Sequence, residues 1–194
     1  MGAGVSIRGI LFDKDGTLIE VNDTWLPIYR RILSDLFAAN TEGVNALAAK
    51  LATLRITTPD GGASSPRASE LTGKTYTFEA NEAKAETITC QFGADKTQIE
   101  LVQGGTTHRI ECGVEGAWIT QSTGIAIPYR LPQANVAVSG AWTDDSTFVA
   151  KLCFYEMPFC PILTFHFEGN SVTFDNLPNV SFGTPPPPQL VGRC

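Results

Sequence analysis

Ile10-Leu11-Phe12-Asp13-Lys14-Asp15-Gly16-Thr17-Leu18 is the string in this chain whose residue types and spacing can do chemistry. A short apolar strand over residues 7–12 delivers Asp13 and Asp15 two positions apart. The strand period of two aims both carboxylates at one site. Gly16 then permits a sharp turn. Two close carboxylates suit Mg²⁺, a hard cation that takes oxygen ligands and keeps waters that a phosphate can replace. One carboxylate can attack phosphorus as a nucleophile while the other moves the proton. That chemistry is phosphoryl transfer from a small phosphorylated substrate.

The strand followed by Asp13-Lys14-Asp15-Gly16-Thr17-Leu18 resembles the first signature of the haloacid dehalogenase superfamily phosphatases. Asp23-Thr24-Trp25-Leu26-Pro27 continues like the phosphoglycolate-phosphatase-like members, so the resemblance covers residues 7–38. It implies that Asp13 is the phospho-accepting nucleophile, forming an aspartyl-phosphate. Asp15 is then the acid/base, with its backbone carbonyl also on Mg²⁺. The family further needs a Ser or Thr, a Lys and additional Asp on neighbouring parallel strands of a doubly wound sheet. Beyond Leu54 the sequence lacks the alternation of strands and helices that builds such a sheet. Asp144-Asp145 is the nearest stand-in for the last motif, yet Asp-Asp-Ser reads better as a turn between antiparallel strands. Neither Lys74 nor Lys151 stands in a context suited to the lysine role. The site is expected to be incomplete, and the chain alone weak or inactive as a phosphatase.

The elements around the motif fall into two textures. A helix is expected after Asp23, with Trp25, Ile28, Tyr29, Ile32, Leu33, Leu36 and Phe37 on one stripe. A second helix starts near Thr41, with Val44, Leu47, Ala48, Leu51 and Leu54 on one face. Residues 57–72, rich in Pro, Gly and Ser, read as a linker. Nine β-rich segments follow: Lys74–Glu79, Glu86–Phe92, Thr97–Gln103, Thr107–Cys112, Ala117–Ser122, Val136–Trp142, Thr147–Tyr155, Ile162–Glu168 and Ser171–Asp175. Phe148, Ala150, Leu152 and Phe154 share one strand face, as do Leu163, Phe165 and Phe167, and then Val172 and Phe174. His166 falls on the outward face. The expected fold is α+β: an N-terminal strand and two helices, then an antiparallel β-barrel or sandwich of about nine strands. The tail Pro185–Pro188 is expected as extended polyproline II.

Composition bounds the partners. The chain has 194 residues and a net charge of −6, which gives no electrostatic case for nucleic acid or an anionic membrane. Six basic and six acidic residues cancel over residues 1–56, so all the net charge lies in 57–194. No apolar run approaches the ~20 residues that span a bilayer. Asp13 and Asp15 interrupt Ile10-Leu11-Phe12 too early for a secretory signal, so a cytoplasmic location is expected. Five cysteines without a C-x-x-C pair favour free thiols, and two histidines are too few for a Cys/His zinc site. Composition leaves the oligomeric state open.

Ser139-Gly140-Ala141-Trp142-Thr143-Asp144-Asp145-Ser146-Thr147-Phe148, with Phe154-Tyr155-Glu156-Met157-Pro158-Phe159 and Asn179-Val180-Ser181-Phe182-Gly183, resembles another family. These stretches are similar to the C-terminal β domain of serine hydrolases related to β-lactamases, over residues 44–193. That domain is an accessory barrel without a nucleophile of its own. Consistently, Ser-x-x-Lys, Tyr-x-Asn and Lys-Thr-Gly are all absent from the sequence. Residues 68–75 satisfy a relaxed phosphate-loop pattern ending at Lys74-Thr75, but a strand rather than a helix is expected next. The combined reading is a chimera: a truncated haloacid-dehalogenase-like segment (1–56), a linker (57–72) and an accessory β-barrel (73–194). A barrel filled by its own Phe and Leu is a packing module, whereas one with an open apolar mouth takes a ligand.

Overall fold

The computed structural model describes residues 31–32, 34–35, 38, 41–125, 133–180 and 187–194. The expected strand over 7–12 lies outside them, as does most of the first expected helix. The chain divides into two compact units, Met1–Ile56 and Thr57–Cys194. In the first, helix α1 (Thr41–Thr53) begins where the sequence places it. Glu42 in its first turn and Lys50 in its last complement the helix dipole. Its C-terminal carbonyls are satisfied locally: Thr53 Oγ1 donates to Lys50 O, and Arg55 Nη1 donates to Ala52 O and Leu54 O.

The second unit is a barrel of β1 (Thr75–Phe78), β2 (Ala85–Phe92), β3 (Lys96–Gln103), β4 (Thr106–Gly113), β5 (Ile119–Thr123), β6 (Ala134–Asp144), β7 (Thr147–Cys153), β8 (Ile162–Glu168), β9 (Ser171–Leu177) and β10 (Leu190–Arg193). Neighbours run β4-β3-β2-β1-β10-β9-β8-β7-β6, and the ring closes where β4 meets β6 at Gly113 and Ser139. That closing contact is parallel and the other pairings are antiparallel. Nine strands therefore form a closed, mixed barrel, and β5 adds a tenth along the first half of β6. Closure removes exposed sheet edges from the ring.

Alternation in the sequence becomes inside and outside here. Phe148, Ala150, Leu152, Leu163, Phe165, Phe167 and Val172 are buried, and His166 between two of them faces out. Aromatic rings from six strands meet inside the barrel. Phe92 lies 4.6 Å from Trp142 and 5.3 Å from Phe148, Tyr76 lies 5.7 Å from Phe167, and Phe165 stacks on Phe174 at 5.2 Å.

Strand β10 is the element that alternation does not reveal. It is four residues long, and its one fully buried position is Gly192. A Cβ there would lie 3.0 Å from Phe78 Cε1 and 3.1 Å from Tyr76 Cβ, so the glycine makes room for two core rings. The inward face of β10 thus pairs the half-buried Leu190, packed on the core, with a position that must stay empty.

Several buried side-chain polar atoms lack a partner among the described residues, among them Thr97 Oγ1, Trp142 Nε1 and the Tyr76 hydroxyl. Burial, reinforced by nearby Cys194 and Cys90, pushes the ionisation of Tyr76 up to about 12 from the ordinary 10.0. Tyr76→Phe is expected to stabilise the unit by about 1 kcal/mol at neutral pH, because it removes an unpaired hydroxyl and keeps the ring. The raised value fixes the sign at high pH. Wild-type stability contributed by the neutral phenol is intact below pH 10 and falls as pH climbs toward 12, since only the unfolded chain ionises freely. The advantage of the Phe variant should therefore widen over that window in urea unfolding curves.

Candidate functional site

Asp13 and Asp15, the residues expected to hold Mg²⁺ and to attack phosphate, lie outside the described residues. The later positions weighed as partners can be placed, and each has a local task. Lys74 pairs with Glu70 at 3.5 Å, and Lys151 Nζ donates to the Thr57 carbonyl at 2.8 Å. Asp144 and Asp145 sit where β6 turns into β7, as the Asp-Asp-Ser string suggests. Asp144 Oδ1 accepts the Ser146 N–H at 2.8 Å. That bond, with one from the Thr147 hydroxyl, holds the Asp144 carboxyl below its ordinary value. Thr147 Oγ1 in turn meets His166 Nδ1 at 2.9 Å on the outer surface. This is turn chemistry, with the carboxylate occupied by its own backbone.

The phosphate-loop pattern resolves in the same way. Strand β1 follows Lys74, and the Gly73 N–H is spent on the Cys90 carbonyl at 2.8 Å. A strand, not a helix, begins after Lys74, so the helix N-terminal amides that cradle a phosphate in such a loop are not supplied there.

Residues 57–72, expected as a linker, are in part fastened across one end of the barrel. Gly62 and Trp142 exchange both backbone hydrogen bonds, at 2.8 and 2.9 Å. Ser65 Oγ donates to Asp145 O, and Arg67 Nη1 donates to Ser146 Oγ and to Phe167 O. A single-turn helix, α2 (Ala68–Leu71), then turns Leu71 fully inward. Phe92 N–H donates to Thr72 Oγ1 on the far side. The segment thus ties the β6–β7 turn and β8 to β2, which stands on the opposite side of the ring. Composition suggested a linker because Gly, Ser and Pro fill it; here the same hydroxyls and turns make a strap, and Leu71 is its plug.

At the opposite end, Phe154 is buried while Met157 and Phe159 pack against the core from the β7–β8 loop. The interior between these two caps is filled by side chains. Among the described residues the buried Ser and Thr are Ser65, Thr97, Thr123 and Ser139, none of which exchanges a proton near neutral pH. A cavity of about 390 Å³ does exist, on the flank of β1 and β10 between Thr77, Glu79, Asn81 and Arg193. No family model and no curated protein matches this chain.

Two cysteines point inward and are shielded. Burial pushes the Cys90 thiol up to about 12 and raises Cys112 as well, which leaves both protonated and unreactive. The pair that sequence reading passed over is Cys153 and Cys160, whose sulfurs approach to 3.3 Å. Their seven-position separation matches no thiol motif; only the register of the β7–β8 loop brings them together. Among the described residues, no helix is long and apolar enough to cross a membrane.

Proposed function

We propose that residues 57–194 serve as a non-catalytic accessory barrel, of the kind attached to β-lactamase-related serine hydrolases, and that the Asp13–Asp15 segment before it performs no efficient phosphoryl transfer in this chain alone. The observation that carries this reading is the interior: rings of Tyr76, Phe92, Trp142, Phe148, Phe165 and Phe167 fill the space a ligand would need. Strap and loop cover the two ends. A barrel so filled acts through its outer surface, by packing on another domain or chain.

The competing reading rests on one sequence observation, the six matching positions from Asp13 to Leu18. In it Asp13 and Asp15 hold Mg²⁺, and Asp13 accepts the phosphoryl group of a small monoester. Mg²⁺ would supply charge neutralisation for the phosphate, and Asp15 would hold the proton for the leaving group. The lysine and third carboxylate of that chemistry have to stand beside Asp13, whereas Lys74, Lys151 and Asp144 each have partners within the barrel unit.

Turnover of p-nitrophenyl phosphate separates the two. With Mg²⁺ the full chain is expected to stay near background, with Asp13→Asn indistinguishable from wild type. Robust Mg²⁺-dependent turnover that Asp13→Asn abolishes would establish the phosphatase instead.

A further inference from the structure

The last registered pair of β7 and β8 is Lys151 opposite Ile162, and the connecting loop continues that register beyond the strands. The Leu152 N–H donates to the Pro161 carbonyl at 3.0 Å, and the Phe154 N–H to the Phe159 carbonyl at 2.9 Å. Cys153 and Cys160 fall between these two bonds, directly opposite each other at a position without its own ladder bond. Such positions bring Cα atoms to about 4.5 Å and side chains closer than their neighbours. A disulfide spans Cα separations of about 4.4–6.8 Å, so a position of this register has the spacing a bridge requires. Cys160 Sγ donates to Cys153 Sγ at 3.3 Å.

The loop is held in this register from outside. The Cys160 N–H donates to Asn179 Oδ1 at 2.6 Å, and Asn179 Nδ2 donates to the Pro158 carbonyl at 2.9 Å. Within the loop the Met157 N–H closes a turn onto the Phe154 carbonyl at 2.8 Å. Asn135 Nδ2 donates to Glu156 Oε1 from the start of β6. The two thiols differ in access: Cys153 is buried and Cys160 is half-buried.

We propose that Cys153 and Cys160 are a reversible dithiol–disulfide pair, oxidised by low-molecular-weight disulfides of the glutathione class. The more accessible Cys160, as thiolate, attacks one sulfur of the small disulfide; that S–S bond breaks and one thiolate leaves. Cys153, as thiolate, then attacks Cys160 Sγ, which breaks the mixed disulfide and expels the second small thiolate. Two electrons pass from the cysteine sulfurs to the small disulfide, and the two cysteine protons end on two small thiols. Cys153 sets the pace of the second step. Burial raises its thiol above the ordinary 9.0 and persists in the mixed disulfide, so bridge closure accelerates as pH rises through the alkaline range. Closure staples the loop that seats Phe154, Met157 and Phe159 on the barrel end, while reduction leaves that cap held by hydrogen bonds and packing alone.

The test uses the full chain carrying Cys194→Ser, since Cys194 is exposed and would otherwise link two molecules. The reduced protein is incubated with glutathione disulfide, quenched by alkylation, and read by intact mass and peptide mapping. The expected product is lighter by two hydrogen atoms, with one peptide pair joined through Cys153 and Cys160, and a dithiol reductant restores the original mass. With Cys153→Ala added, the reaction should stop with a single glutathione on Cys160. A wild-type pair that retains both thiols, that stops at the mixed disulfide, or that joins Cys153 or Cys160 to Cys90 or Cys112 would overturn the assignment. Because the pair is read in the native sequence at both positions, that outcome does not depend on the fold tolerating a substitution there.

Discussion

Phe167→Ala should lower the stability of the barrel unit by about 4 kcal/mol, a loss read as a shifted midpoint in urea. Phe167 is 1% exposed and stands near the end of β8. Its ring lies 5.7 Å from Tyr76 on β1, 5.9 Å from Phe92 on β2 and 6.0 Å from Trp142 on β6. It therefore joins strands from both sides of the barrel across its axis. Truncation leaves a void lined by three other aromatics, whose backbones are fixed by ladders on either side and cannot collapse into it. That places the cost in the upper part of the range for buried Phe. Phe167→Leu keeps most of the volume and should cost about 1 kcal/mol. Trp142 is a convenient reporter because its ring touches the site. A loss under about 1 kcal/mol for Phe167→Ala would mean that the interior has slack, and the packing-module reading would lose its basis.

The same strand shows how much of the fold the sequence carries. Phe165, His166 and Phe167 alternate in the chain and point in, out and in. Where each strand has an apolar face of that kind, register and burial follow from a period of two, and β7, β8 and β9 were legible for this reason. Strand β10 was not, because beside the half-buried Leu190 its fully buried position is a glycine, whose contribution is space for Phe78 and Tyr76 rather than bulk. Closure of the ring was equally silent. It depends on Gly113 meeting Ser139, two residues distant in sequence whose side chains carry no pattern. The Cys153–Cys160 contact is a product of register, visible only once Lys151 stands opposite Ile162. The Asp13–Asp15 motif is the reverse case: its chemistry is plain from residue types and spacing, but its partners would have to come from elements the sequence does not signal.

Leu71→Ala should cost about 3 kcal/mol, although Leu71 belongs to a stretch whose composition is that of a linker. In a free linker the substitution would change stability by less than about 0.5 kcal/mol. The difference rests on where the side chain goes. Leu71 is fully buried, at the end of a one-turn helix, and shares the core with the barrel rings. The strap that carries it is anchored on one side by Ser65 Oγ to Asp145 O at 2.7 Å and on the other by Gly73 N–H to Cys90 O at 2.8 Å. With both anchors in place the strap cannot sink to fill the vacated volume, so the cavity persists. The anchors stay formed in the native state, but at about 1 kcal/mol each they open more often once the plug is gone. Amide exchange should accordingly speed up first at Gly62, Gly73 and Phe92, before the ladder amides of β7 and β8 respond. Ser65→Ala loosens one anchor of the same strap, so its cost and that of Leu71→Ala should fail to add, with a coupling above about 0.5 kcal/mol. Strict additivity, or a near-neutral Leu71→Ala, would return residues 57–72 to the role of a tether and leave that end of the barrel open to a ligand.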